Sequence, residues 1–334
     1  MTARSHIIPI FLPHWGCPYH CVYCDQKVIS SQAGPVEVTR QIDAALQKVP
    51  PGVHPVEVAF YGGTFTALSL DLQKDLLQAA GPYLKNGRVD SIRLSTHPAC
   101  LSLESLTLLA AAGVKIIELG VQSMDPEVLR LSGREYGPDT VENAVSILNQ
   151  HGFKVGIQLM PGLPGDTKAK ALDTVRQVIN LRPDFVRVYP TVVIDGTPLT
   201  GLWGEGKFKP LSLEEAVDWC KEIGKLFMRH GIPVIRMGLH ASRELEDQIL
   251  AGPYHPAFKA LVDSALALEK IEEQIKEAGE KLVITCNPRE IPVVRGHKNA
   301  NILKLKDKYG FKQIEVRAGQ ALAKGELEVQ ITGC

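Results

Sequence analysis

The chain lacks net charge, membrane-length apolar runs, internal repeats and low-complexity tracts. Lysine plus arginine number 37 and aspartate plus glutamate number 37, so the formal net charge is zero. That balance removes any global electrostatic case for a nucleic-acid partner and leaves only a local basic patch to supply one. No run approaches the roughly 18 apolar residues of a membrane span, so no membrane role is expected. Residues 1–6 lack the charged-then-apolar pattern of a secretory leader, and a cytoplasmic, reducing setting is the expectation. Such a setting keeps thiols out of disulfides.

What is present is 334 residues, 45% of them hydrophobic. That is enough for one large α/β domain with a sizeable core, plus an appendage. Up to about residue 250, short apolar runs alternate with helical patterns. Strands are read at 6–12, 56–61, 91–95, 114–120, 154–159, 185–189 and 234–237, and helices at 36–49, 71–83, 103–112, 138–151, 169–181 and 213–230. Strands of this length alternating with longer helices argue for parallel βαβ units. The expected fold is α/β, a partial or complete (β/α) barrel over residues 1–250. Residues 251–334 read as a small α/β appendage, with helices at 256–278 and 298–309 and strands at 282–285, 314–316 and 328–331.

Three of the seven cysteines, Cys17, Cys21 and Cys24, fall within eight residues, spaced C-x-x-x-C-x-x-C. One tight loop can aim three thiolates at a common point. A disulfide would leave an odd cysteine and needs an oxidising compartment. A structural zinc site takes four ligands and would have to borrow one from His20, Cys100, Cys220, Cys286 or Cys334. A cubic iron–sulfur cluster takes one ligand per iron. With three cysteines one corner stays open for something else, and the spacing favours this reading.

With aromatic Tyr23 just before the last cysteine, the stretch resembles the signature of the radical S-adenosylmethionine (SAM) superfamily. The resemblance implies that Cys17, Cys21 and Cys24 hold a [4Fe–4S] cluster whose open iron is chelated by SAM. It implies an electron donor of flavodoxin or ferredoxin type, and reductive cleavage of SAM to methionine and a 5′-deoxyadenosyl radical that abstracts hydrogen from substrate. The cofactors carry the hard chemistry, and the protein supplies position and exclusion.

Further candidates sit at successive strand ends, where such barrels place their sites. Gly62-Gly63-Thr64 follows the second strand and by itself is a turn whose backbone can approach a ligand closely. It resembles the superfamily segment that holds the SAM amino group, with threonine where glutamate is frequent. Ser95 stands at the third strand, where the family often has glutamate. Gln122 follows the fourth strand, and Arg134 offers a planar fork suited to a carboxylate. Gln158 opens the Met160-Pro161-Gly162-Leu163-Pro164-Gly165 segment, where the family places a polar residue against adenine. By resemblance, Tyr23, Ser95, Gln122, Arg134 and Gln158 join the SAM contacts.

The segment from Val188-Tyr189-Pro190-Thr191 to Asp195-Gly196-Thr197-Pro198-Leu199 resembles the radical SAM domain of the Elongator catalytic subunit. So does Glu118-Leu119-Gly120-Val121-Gln122-Ser123. That likeness spans about residues 1–240 and implies an RNA substrate, tRNA first. In that family the first two cysteines are usually further apart. The sequence also ends before an acetyltransferase domain could fit, so the likeness does not by itself imply the full wobble-uridine reaction. A second reading, from site residues like those of oxygen-independent coproporphyrinogen oxidase, is tetrapyrrole or haem chemistry. A third is a non-catalytic metal-binding RNA adapter, which would have no need of Gly62, Gly63, Gln122 and Arg134 at strand ends. The cationic residues Arg289, Arg295, His297, Lys298, Lys304, Lys306, Lys308 and Lys312 could form a local basic surface for phosphate groups, but the favoured reading is a solvated face balanced by Glu290, Asp307 and Glu315. Arg236 and His240 close the last barrel strand, facing substrate or simply packed.

Overall fold

The structure, a computed structural model, describes residues 6–12, 17–24, 34–50, 52–240, 242–276 and 279–333. Six strands come first: β1 (His6–Phe11), β2 (Val56–Tyr61), β3 (Ser91–Thr96), β4 (Val114–Gln122), β5 (Lys154–Leu159) and β6 (Phe185–Val188). They pair in parallel in chain order, and after the two-residue β7 (Val193–Ile194) the sheet is completed by β8 (Val234–Met237) against β6. Parallel neighbours need crossovers, and helices supply them. These are α1 (Pro35–Leu46), α2 (Leu70–Lys85), α3 (Leu103–Ala111), the short α4 (Pro126–Leu131), α5 (Pro138–Gln150), α6 (Lys168–Asn180), the short α7 (Pro198–Gly204) and α8 (Leu213–Arg229). Among the described residues β1 and β8 stay unpaired on their outer edges, so the barrel is partial and open.

Residues of one parity on each strand face the helices. Ile8, Ile10, Val58, Phe60, Ile92, Leu94, Ile117, Val155, Ile157 and Val186 build the main core with the inner faces of the helices. In α8, Ala216, Cys220, Ile223 and Phe227 recur at helical spacing and are all buried, and Ser212 with Glu215 closes a capping box at its start. Cys220 is thus a core residue on the outside of the sheet, far from the role of a borrowed metal ligand. No helix among the described residues is long and apolar enough to cross a membrane.

The other parity faces inward and is charged. Arg93 on β3 lies between Glu57 on β2 and Glu118 on β4, with Arg93 Nη1 3.0 Å from Glu118 Oε1. Arg187 on β6 reaches the same carboxylate, its Nε 2.6 Å from Glu118 Oε2. Tyr61 donates to Glu118 at 2.8 Å and accepts from Arg187 at 2.8 Å. Space for this layer comes partly from Gly156, where a Cβ would stand 2.4 Å from the Phe185 ring.

Beyond the barrel come α9 (Arg243–Glu246) and β9 (Ile249–Ala251), which pairs antiparallel with β7. Then α10 (Phe258–Gln274) joins two cores. Phe258 and Val262 belong to the barrel core. Ala267 and Ile271 belong to a second core with Leu282, Ile284, Val294, Leu305 and Phe311. That core is covered by β10 (Lys281–Cys286), α11 (Ile291–Arg295), α12 (Ala300–Tyr309), β11 (Gln313–Ala318) and β12 (Leu327–Thr332). β10 is central, parallel to β11 and antiparallel to β12.

Two expectations shift. The helix read over 298–309 begins only at Ala300, because Lys298 and Asn299 take left-handed φ values of 51° and 62°. The helix read over 256–278 ends at Gln274; residues 277–278, like Cys334, lie outside the described residues. The short α4, α7, β7 and β9 escape the sequence reading because two to seven residues carry no usable period.

Removing the fully buried Ile271 side chain tests whether the second core leans on α10. Ile271→Ala is expected to cost about 2–5 kcal/mol. Hydrogen exchange should accelerate in β10 to β12 far more than in β2 to β5. Equal acceleration in both sheets would show one indivisible core.

Candidate cofactor site at the barrel mouth

The described part of the cysteine loop, residues 17–24, is sewn onto the mouth at Val22. Val22 N–H donates to Ser132 O at 3.1 Å, and Val22 O accepts from Leu199 N–H at 2.8 Å. Val22 and Tyr23 pack against a small cluster of Val193, Leu199 and Phe208. The stretch that follows β6 is therefore structural, because β7 and α7 make a wall behind the loop. On the other side, Gly133 follows α4 with φ +73°, and a Cβ there would meet His20 O at 2.7 Å and Cys21 Cα at 3.5 Å. Only glycine allows both that backbone conformation and that approach.

Arg134 comes next and is 4% exposed. Its Nη1 donates to Cys21 Sγ at 3.4 Å and Tyr23 Oη at 2.7 Å, its Nε to Tyr136 Oη at 2.8 Å, and its Nη2 to Gly120 O. Tyr136 in turn donates to Val121 O at 3.0 Å. One guanidinium thus ties the cysteine loop to the end of β4. Burial raises the Tyr23 hydroxyl well above its ordinary range and the Tyr136 hydroxyl to about 12, so both stay protonated donors.

The other sequence candidates meet in pairs. Thr64 donates to Cys17 Sγ at 3.4 Å. Gly62 takes φ +97°, and Ser95 Oγ donates to Gly63 O at 3.4 Å, tying the glycine turn to β3. Gln158 Nε2 donates to Gln122 Oε1 at 3.2 Å across adjacent strand ends. The register of β4 against β5 slips between Gly120 and Gln122, and Gln122 takes φ +69°. Such a bulge with a left-handed non-glycine re-aims a side chain at some cost in strain. Arg236 Nη2 and His240 Nδ1 stand 3.0 Å apart at the exposed end of β8.

His97, just beyond β3, is absent from the candidates that the sequence singles out. It is 4% exposed, stacks on Tyr19 of the cysteine loop at 4.0 Å and 14°, and meets Tyr136 edge-on at 4.9 Å. Its Nδ1 accepts from Ala99 N–H at 3.2 Å, so Nε2 carries the proton, and among the described residues Nε2 has no partner. Burial first, and the Arg134 cation second, push its pKa down to about 3. The only sequence signal is its place two residues after Ser95.

Among the described residues no three His, Cys, Asp or Glu side chains stand close enough to grip one ion. The donor set nevertheless suits an anionic iron–sulfur centre. Cys17 and Cys21 already receive hydrogen bonds from Thr64 and Arg134, and the His97 N–H is a buried donor awaiting an acceptor. Hydrogen bonds to the sulfurs are among the factors that set the potential of such a cluster. Burial holds the nearby Cys100 thiol up at about 11, which makes it a poor fourth ligand.

Two outcomes follow from this geometry. Gly133→Ala should displace the cysteine loop, so iron bound after anaerobic reconstitution should fall several-fold with little change in far-UV circular dichroism; unchanged iron would remove the argument from close approach. For His97, the unfolded chain binds a proton near 6.5 that the folded chain refuses until about 3. Its contribution is complete above 6.5 and lost as pH falls through that window. Urea unfolding between pH 7 and 4 should therefore be less pH-dependent in His97→Gln than in wild type, by up to about 1.4 kcal/mol per pH unit. Parallel curves would refute the shift.

Comparison with known proteins places the chain in a family. The Radical SAM superfamily is matched over residues 13–178 and the Radical_SAM C-terminal domain over residues 183–267. A tRNA uridine(34) acetyltransferase of Methanocaldococcus infernus is 28% identical over 200 residues, 54% of this chain and 38% of that protein. The chain thus spans well under two thirds of that relative. An uncharacterised protein of Methanocaldococcus jannaschii is 25% identical over 276 residues, 81% of this chain and 80% of that one. The solved structure of an N-terminally deleted Elp3 from Methanocaldococcus infernus superposes with a TM-score of 0.63 at 23% identity, covering 80% of this chain and 63% of that one, a likeness of fold. The two family matches run nearly end to end across the half-barrel and its three-cysteine mouth, and the chain belongs to the radical SAM superfamily.

Proposed function

We propose that this radical SAM enzyme acts on RNA, with tRNA as the substrate, and that Cys17, Cys21 and Cys24 ligate its [4Fe–4S] cluster. The observation that carries the substrate reading is the sequence likeness to proteins named for tRNA uridine(34) acetylation and to human Elongator complex protein 3, 26% identical over 217 residues. When bound, the cluster and SAM supply a one-electron cleavage that yields methionine and a 5′-deoxyadenosyl radical.

The chain's own residues do the rest. Thr64 and Arg134 donate to Cys17 and Cys21 sulfur and offset the negative charge that three thiolates bring. The turn at Gly62 and Gly63, with Ser95, Gln122 and Gln158, offers amide and hydroxyl groups at neighbouring strand ends to hold SAM. Arg134 remains a candidate contact to the SAM carboxylate, but its first duty is to fix the loop. Tyr19 stacks on His97, which meets Tyr136 edge-on, so three aromatic rings brace the cysteine loop against the ends of β3 and β4. The reducing electron comes from a flavodoxin- or ferredoxin-type donor, which suits a cytoplasmic location.

The test is anaerobic. Protein reconstituted with iron and sulfide, reduced with dithionite and given SAM should release 5′-deoxyadenosine. Cys21→Ala should lose both cluster absorbance and product; full iron content and SAM cleavage in that variant would overturn the ligand assignment. Unmodified tRNA transcript should bind with steep salt dependence and raise 5′-deoxyadenosine release. A protein that cleaves SAM but is indifferent to RNA would return the substrate question to small molecules.

A further inference from the structure

We infer that the unit built from β10, α11, α12 and β11 is a docking surface for a single-stranded RNA segment, its backbone gripped at the loop Gly296-His297-Lys298-Asn299. The inference rests on the RNA reading above and adds to it where on the chain the RNA is held.

Charge is the first observation. Zero net charge conceals a segregation: residues 281–334 hold ten lysines and arginines against five acids. In the sequence, Glu290, Asp307 and Glu315 are the acids that would balance this surplus. In the structure, two of them are occupied elsewhere. Glu290 accepts from Gly325 N–H at 2.7 Å. Glu315 pairs with Arg317 at 2.7 Å and Lys281 at 2.9 Å. Lys308 is taken by Glu272 on α10, and Lys312 by Glu280 just before β10. Among the described residues, Arg289, Arg295, Lys298, Lys304 and Lys306 have no carboxylate partner, and all five are exposed. An unneutralised cluster on one small unit is the local basic patch that a chain of zero net charge needs if it is to bind phosphates.

The loop is the second observation. His297, Lys298 and Asn299 are exposed at its tip, while its base is held rigidly. Asn301, buried, donates through Nδ2 to Ser264 O at 2.8 Å and Val294 O at 3.1 Å, and Ser264 Oγ donates to Val293 O at 2.7 Å. Arg295 Nη1 crosses the loop to Asn299 Oδ1 at 3.2 Å. One class of RNA-binding module clamps four backbone nucleotides with a G-x-x-G loop. Here the loop between α11 and α12 is Gly296-x-x-Asn299, with Asn299 in the left-handed conformation, at φ 62°, that glycine favours. His297 also lies edge-on to His255 at 5.6 Å, offering a ring face on which a base can stack. A flat cationic helix face would suit any polyanion; a rigid loop with stacking rings beside unpaired cations suits a single strand.

The test uses the full chain carrying Lys298→Glu/Lys304→Glu/Lys306→Glu, whose positions are exposed, and a Lys74→Glu/Lys85→Glu control on α2. Anisotropy would follow binding of an unmodified tRNA transcript, a single-stranded RNA of about twelve nucleotides, and a DNA duplex of equal length, across a salt series. The triple variant should bind both RNAs at least tenfold more weakly, with its salt slope lowered by about two at ~0.7 per phosphate. Its SAM cleavage without RNA, its thermal midpoint and the control should match wild type. The neutral Lys298→Gln/Lys304→Gln/Lys306→Gln protein should fall between. If wild type binds tRNA and the triple variant binds it equally well with the same slope, the docking surface is elsewhere and the RNA reading survives. If wild type binds none of the RNAs, the RNA reading falls with it. Equal affinity for the duplex would reduce the patch to a non-specific polyanion contact and sink the proposal.

Discussion

Four charges inside an otherwise apolar sheet constrain the rest of the molecule. Glu57, Arg93 and Glu118 are buried on β2, β3 and β4, and Arg187 is largely covered on β6, where an unpaired charge would cost several kcal/mol. Each strand can satisfy its charge in one register only, because a one-residue slip would turn it into the helix layer. Such a network need not add net stability, but it penalises misregistered sheets heavily. It also draws β6 toward β4 through the shared Glu118 carboxylate, across the intervening β5, where Gly156 leaves room.

The mouth inherits its order from that sheet. With β4 fixed, its bulged end sets Gly120 O and Val121 O, and Arg134 and Tyr136 bind there. Arg134 then reaches back to Cys21 and Tyr23, so the cysteine loop is referenced to β4 as much as to the strand it follows. A buried cation beside cysteine sulfur is a poor choice in an apolar core and a sound one beside thiolates. The same logic applies to His97, whose buried N–H, unpartnered among the described residues, is costly until an acceptor arrives.

Much of this is legible in the primary structure, for definable reasons. Parallel strands buried on both faces read as short apolar runs, so β2 to β6 match the sequence pattern nearly to the residue. Three cysteines within eight positions are rare enough to carry a chemical reading. The glycine pair at 62–63 and the glutamines at 122 and 158 stand out because they follow strands. Arg134, by contrast, reads as a free fork for a carboxylate, whereas Cys21, Tyr23, Tyr136 and Gly120 engage four of its five N–H donors. A single arginine in a loop carries no record of what will surround it. Gly133 likewise looks like any turn residue until the cysteine loop is seen against it.

By itself, then, the sequence determined the alternation of strands and helices, the close spacing of three cysteines and the position of candidate groups after each strand. These are local properties, written in periodicity and spacing. Tertiary structure alone decided that the barrel stays open, that one helix serves two cores, and that Glu118 answers two arginines. It alone decided which acids neutralise which bases in the C-terminal unit, where Glu290 and Glu315 are occupied away from Arg295, Lys298, Lys304 and Lys306. Charge pairing acts over a few ångströms between residues far apart in the chain. Composition can count the charges, but only the fold assigns their partners.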